Sequence, residues 1–265
     1  MTSNGCVTVG DSTMYYVSFG SGARKLAVLP GLSDGLATVK GKAFILQFPY
    51  RKFFRDYTVY MFSRKNEMPE GYSIRDMAAD QVLAMRSLGM DKACVLGVSE
   101  GGMIAQYIAA DHPEIVEKLI LAVTAPYAGS VVRESVSGWT GMAERGDHAA
   151  LMADTAERMY SEKYLKKYRK FTPLLARFTR PRDYHRFMVN ARAILGFDCR
   201  NMLKEIRCPV LIIAGSDDRT IGNDAPYELH EAINGSTLYV YEGLGHGAFE
   251  EAGDFYDRVL AFCNG

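Results

Sequence analysis

Residues 93–112 read A-C-V-L-G-V-S-E-G-G-M-I-A-Q-Y-I-A-A-D-H, and this stretch decides how the chain is understood. Ala93 to Val98 is a short apolar run with the look of a buried strand. From Glu100 the residues follow a helical pattern that Pro113 stops after His112. Between them Gly97-Val98-Ser99-Glu100-Gly101 forms G-x-S-x-G at a strand-to-helix turn, the context that gives this otherwise weak motif meaning. A serine there sits in strained backbone geometry with its hydroxyl above the sheet, and glycine two residues to either side lets neighbouring chain pass closely. The helix start supplies free N–H groups and partial positive charge suited to an oxyanion. Ser99 is therefore a candidate nucleophile. The motif alone also fits a glycine-rich turn with a helix-capping serine.

Outward from this turn, short β-branched runs alternate with longer amphipathic stretches, the pattern of a mostly parallel sheet flanked by helices. A hairpin is expected over Cys6 to Val9 and Met14 to Phe19, then strands at Lys25 to Leu29, Tyr57 to Phe62, Ala93 to Val98 and Lys118 to Val123. Ser73 to Leu88 has helical spacing and ends at Gly89. Between Pro126 and Glu205 the spacing stays helical with no convincing strand, too long for a bare loop, and reads as a helical insertion. The α/β pattern resumes at Pro209 to Ala214, with a helix near Ala225 to Ile233, a strand at Thr237 to Tyr241 and a closing helix from Phe255 to Phe262.

A serine hydroxyl needs a base to take its proton and an acid to orient that base. Of five histidines, His112 precedes Pro113 at a helix end, and His148, His185 and His230 fall within helical patterns. His246 lies in Gly243-Leu244-Gly245-His246-Gly247, just after the last strand, where catalytic groups of open α/β sheets gather. An acid is expected after the first strand beyond the insertion, and Asp217-Asp218 offers two adjacent carboxylates there. Both in one site would repel, so one should face the imidazole while the other acts locally in the turn. The order serine, acid, histidine is that of α/β-hydrolases.

Composition narrows the partners. The chain has 265 residues, with Lys+Arg 31 against Asp+Glu 31, and lacks the basic excess of a phosphate-gripping protein, so nucleic acid is not an expected partner. It has no apolar run of the roughly 20 residues a spanning helix needs and no basic-then-apolar leader, so no membrane partner and a cytoplasmic location are expected. The five cysteines, Cys6, Cys94, Cys199, Cys208 and Cys263, show no C-x-x-C pair and read as buried small apolar residues. No cofactor or metal is implied.

Taken together, the chain resembles the α/β-hydrolase fold enzymes, with a helical cap inserted after the sixth strand. The resemblance covers essentially the whole chain and rests on G-V-S-E-G at Gly97, L-P-G-L-S-D-G at Leu29, P-V-L-I-I-A-G-S-D-D at Pro209 and G-L-G-H-G-A-F-E-E at Gly243. It implies a core of residues 1–125 and 206–265, with residues 126–205 as the cap. In this family the acid stands three residues after the glycine that ends the late strand, which points to Asp218. The oxyanion loop commonly reads His-Gly, replaced here by Pro30-Gly31; because its donor is a backbone N–H, the change need not abolish function. The implied donors are the N–H groups of Leu32 and Glu100. The resemblance also implies a serine hydrolase for a small ester-like acyl substrate. Lactonase, carbon–carbon bond hydrolase or lyase and perhydrolase chemistry share the triad, and some members serve as small-molecule receptors. Dehalogenases and epoxide hydrolases of this fold carry an aspartate where Ser99 stands.

Two further features are expectations. The Glu100 side chain should point outward and complement the helix dipole, because turned inward it would repel an oxyanion. The cap's large apolar residues, among them Trp139, Met142, Phe171, Phe178, Phe187 and Met188, exceed what one thin layer buries, so some should cover the sheet and line an apolar cleft above Ser99. The basic run Lys163, Lys166, Lys167, Arg169 and Lys170 reads as a solvated face.

Overall fold

The computed structural model describes residues 1–265, apart from the side chains of Pro173 and Leu175. Eight strands form one sheet: β1 (Thr2–Val9), β2 (Ser12–Gly20), β3 (Arg24–Leu29), β4 (Tyr57–Lys65), β5 (Ala93–Val98), β6 (Val116–Ala122), β7 (Val210–Gly215) and β8 (Thr237–Tyr241). Their spatial order is β1-β2-β4-β3-β5-β6-β7-β8. The opening hairpin and the β2–β4 pair are antiparallel, and every pair from β4 to β8 is parallel. The hairpin is longer than the sequence suggested, because its outer residues are polar and carry no apolar alternation.

Strands β5 and β7 are buried along their whole length, as expected for parallel strands covered on both faces. Side chains alternate between two apolar clusters: Ala27, Leu29 and Val95 on one side, Leu26, Val28 and Leu96 on the other. The first cluster packs against α2 (Ile74–Ser87) and α3 (Glu100–Asp111). Helix α2 begins in a capping box between Ser73 and Asp76 and ends before Gly89 at φ 67°, a conformation that suits glycine. The other side is covered by the short α1 (Ala43–Leu46), by the turn Phe48–Phe53 and, further along the chain, by the C-terminal helix Phe255–Asn264.

After β6 the chain forms five successive helices: α4 (Ser130–Glu144), α5 (His148–Met159), α6 (Glu162–Tyr168), α7 (Thr172–Thr179) and α8 (His185–Leu195). They leave and return at one neck. Tyr127 and Asp198 form an antiparallel bridge, and Cys199 N–H donates to Pro126 O at 2.9 Å. Beyond β7 come α9 (Ala225–Ala232), α10 (Ala248–Glu251) and α11 (Phe255–Asn264).

The sheet order reverses around β3, which pairs with β4 on one side and β5 on the other. The loops that follow β3 and β5 therefore part at the carboxyl edge, where open α/β sheets hold their ligands. Among the described residues no helix is long and apolar enough to cross a membrane. Cys94, Cys199 and Cys263 are buried as expected; Cys6 is exposed and Cys208 half-buried. Cys6 alternates outward on the edge strand β1, a placement that residue type cannot report.

Candidate active site

Ser99 caps α3 with φ 55° and ψ −119°, a left-side backbone conformation that non-glycine residues adopt only under constraint. The constraint comes from close packing at both glycines of the motif. A Cβ on Gly101 would lie 1.9 Å from Leu29 O, and one on Gly97 would lie 2.4 Å from Gly101 O. Ser99 N–H donates to Ala122 O at 2.9 Å, and the Thr124 hydroxyl donates to Ser99 O at 2.7 Å. Thr124 follows Val123, a β-branched residue at φ 45°, so a second strained turn at the end of β6 buttresses the first.

Asp218 lies in the turn after β7, buried, with Oδ1 accepting from the N–H groups of Thr220 (2.8 Å) and Ile221 (3.0 Å). Its Oδ2 is 2.8 Å from His246 Nδ1, and His246 Nε2 is 2.9 Å from Ser99 Oγ. With Asp218 accepting from Nδ1–H, Nε2 is left to accept the serine proton. Asp217, its neighbour, is exposed and takes the Ser216 hydroxyl at 3.2 Å. The two carboxylates thus divide as electrostatics requires. The other histidines bond elsewhere: His148 to Thr179, His185 to Met68 O, His230 to Ser236, while His112 lies beside Glu114.

The His246 loop is held by the segment between α5 and α6. Gly247 N–H donates to Met159 O at 2.7 Å, and a Cβ on Gly247 would lie 2.5 Å from the Tyr160 ring. The Tyr160 hydroxyl donates to Glu250 at 2.5 Å, and Ser161 gives both its N–H and its hydroxyl to Glu251. Burial pushes the Glu250 carboxyl above the ordinary value and raises the Tyr160 phenol still further from its own.

Leu32 and Glu100 are each the first residue of a helical turn, so neither N–H has an intrahelical acceptor. Gly31 brings the first beside the serine: a Cβ there would be 3.2 Å from Ser99 Cβ. The Glu100 side chain is the clear correction to the sequence reading. It is fully buried, and its Oε2 lies 2.9 Å from Nη2 of Arg64, whose side chain is equally buried. The same Nη2 donates to Pro30 O at 2.5 Å. Asp34 then accepts from Arg64 N–H at 2.8 Å and from Arg186 of α8 at 2.9 Å.

Two carboxylates and two guanidiniums thus form one neutral cluster under the turn after β3. Burial raises the Glu100 carboxyl above its ordinary value; Arg64 opposes that rise and Asp34 adds to it. Repulsion toward an oxyanion, the reason for expecting an outward side chain, is offset by Arg64. Sequence reasoning missed Arg64, Asp34, Thr124 and Arg186. The nearest signal was S-R-K following the strand at Tyr57, which continues to Lys65 and carries Arg64 beside β3.

A family model described as alpha/beta hydrolase fold matches residues 60–253. The chain belongs to the α/β-hydrolase fold family. This α/β-hydrolase is 28% identical over 202 residues to the AB hydrolase superfamily protein YisY of Bacillus subtilis, covering 72% of this chain and 74% of that protein. It is 24% identical over 260 residues to the serine hydrolase BPHL of Homo sapiens, covering 96% and 83% respectively. Its fold superposes on that of an enol-lactonase from Burkholderia xenovorans with a TM-score of 0.85, at 21% identity and with 98% and 100% of the two chains covered. Among the described residues, no group of three or more His, Cys, Asp or Glu side chains is arranged to hold a metal ion.

Proposed function

We propose that this chain is a serine hydrolase acting on a small carboxylic ester or a related acyl substrate through an acyl-enzyme intermediate. The observation that carries the reading is the continuous hydrogen-bonded chain from Asp218 through His246 to Ser99 Oγ, with distances of 2.8 and 2.9 Å. Ser99 Oγ attacks the acyl carbon while His246 Nε2 takes its proton. The N–H groups of Leu32 and Glu100 receive the oxyanion. The tetrahedral intermediate collapses, the carbon–oxygen bond to the leaving alcohol breaks, and His246 returns the proton to that alcohol. Water then enters, gives its proton to His246 and attacks the acyl carbon, and the acid product leaves as Ser99 regains its proton. Asp218 stabilises the imidazolium formed in each half, and no cofactor takes part.

In this reading residues 126–205 act as a cap that selects substrate and excludes water. Trp139 and Phe187 bury their side chains in the large core cluster, as a covering layer would. Shortening residues 126–205 to a linker should change acyl selection and leave Ser99 reactive toward a small phosphonate.

The test is a fluorophosphonate label with steady-state turnover of esters, thioesters, lactones and vinylogous diketones. Wild type should be labelled at Ser99 and turn over at least one class repeatedly. Ser99→Ala should fold, resist labelling and lose turnover. Labelling that persists in Ser99→Ala overturns the assignment, and one slow turnover without a second supports a small-molecule receptor instead.

A further inference from the structure

Helix α7 and the turn before it place large apolar side chains on the wrong side for a core. Phe171, Leu174 and Phe178 stand at i, i+3 and i+7, the spacing by which an amphipathic helix normally buries one stripe. Here that stripe faces solvent, with 52%, 56% and 78% exposure respectively, while Ala176 is buried. Tyr168, one turn earlier, is also exposed. Phe171 and Phe178 are therefore not among the large apolar residues that cover the sheet. Their exposure also changes the meaning of the basic run beside them.

Between Ser161 and Arg182 the sequence has eight Lys and Arg residues against a single acid, Glu162, in a chain whose net charge is zero. Arg169 is paired with Glu157 and Glu162. Lys163, Lys166, Lys167 and Lys170 have no carboxylate partner among the described residues and are exposed. Lys170 Nζ lies 5.1 Å from the Phe171 ring centroid, which sets a cation at the rim of the apolar stripe.

We propose that this outward face of α6 and α7 docks on an anionic lipid surface. Exposed aromatic and aliphatic side chains edged by lysine and arginine are the two components of interfacial binding: apolar burial among acyl chains and attraction to acidic headgroups. A second copy of this chain fits poorly, because face-to-face pairing would bring two unneutralised basic arrays together. Nucleic acid would use the charge and leave the apolar stripe in water. The face is also continuous with the active site, since α6 begins directly after Tyr160 and Ser161, which hold Glu250 and Glu251 beside the His246 loop. The docking itself does not depend on the triad reading, and its test needs no turnover.

The test is co-sedimentation of the full chain with vesicles of phosphatidylcholine alone, or of phosphatidylcholine mixed with phosphatidylglycerol. Wild type should sediment with the mixed vesicles, remain largely free with phosphatidylcholine, and be released by salt. Phe171→Ser and Phe178→Ser should each lower partition about tenfold. Lys166→Glu combined with Lys167→Glu should abolish the preference for acidic vesicles. All variants should melt with wild type, because the altered side chains are at solvent. Three results overturn the proposal: wild type that ignores mixed vesicles, serine variants that partition like wild type, or a wild-type dimer in gel filtration that Phe178→Ser makes monomeric.

Discussion

Replacing Glu100 by alanine tests the buried cluster beneath the turn after β3. Arg64 has a fully buried side chain whose Nε and Nη1 have no hydrogen-bond partner among the described residues, so removing Glu100 leaves its charge held by the neutral Pro30 carbonyl, with no carboxylate paired to it. An uncompensated buried charge costs about 3–5 kcal/mol. At roughly 2–4 °C per kcal/mol for a chain of this size, the melting temperature should fall by about 10 °C. Under the proposed mechanism turnover should fall as well, since Arg64 Nη2 ties Pro30 O to Glu100 and so spaces the two segments whose N–H groups that mechanism assigns to the oxyanion. Loss of one such donor costs about 10²–10³ in kcat. The assay is urea unfolding beside ester turnover, for Glu100→Ala, Arg64→Met and the double variant Glu100→Met with Arg64→Met. The double variant should recover most of the lost stability, because it leaves no unpaired charge in the core.

The same pair has a pH signature. The folded Glu100 carboxyl binds its proton more tightly than the ordinary value of 4.5, so folding takes up protons just above that value and this group's contribution to stability falls as pH rises through the interval. Glu100→Gln should lack that component of the slope. A loss below about 1 kcal/mol in Glu100→Ala, or a double variant no better than the worse single, would refute the reasoning.

Four further outcomes follow from the site. Asp218→Asn should lower kcat by about 10³–10⁴ and Asp217→Asn by less than about tenfold, measured on one soluble ester; the reverse ranking reassigns the acid. Ser99→Gly should be about 1 kcal/mol more stable than Ser99→Ala in urea unfolding, since both lack the hydroxyl and only alanine keeps a Cβ at φ 55°. Gly101→Ala should express poorly or melt well below wild type, because its Cβ would meet the Leu29 carbonyl at 1.9 Å, and a well-folded variant would contradict the packing of the turn. His246→Ala should lower kcat on the same ester by more than about 10³-fold while the protein still folds, and turnover within about tenfold of wild type would remove His246 from the role of base.

Much of the scaffold was legible because its signals are local. The apolar runs of β5 and β7, the helical spacing of α2 and the glycines around Ser99 each report on a few neighbouring residues, and backbone sterics and side-chain period decide them. His246 and the Asp217-Asp218 pair could be found for the same reason, as polar residues in glycine-containing loops after strands. Family resemblance narrowed the pair to Asp218, and the structure shows why only one aspartate can face the imidazole: Asp218 is fixed by the N–H groups of Thr220 and Ile221, while Asp217 is turned to solvent.

What only the tertiary structure decided depends on which elements become neighbours. Glu100 reads as a surface residue at a helix start until β4 lies beside β3 and presents Arg64 to it. Arg186, far along the chain in α8, reaches Asp34 only because that helix packs back onto the turn after β3. Phe171, Leu174 and Phe178 carry the period of a buried stripe, and period alone does not say which side of a helix meets the core. A sequence therefore determines the local geometry that strains a serine turn and the residue types able to do acid–base work. The order in which strands pair, and the face each helix shows to the sheet, settle which charges are buried together and which apolar side chains meet water.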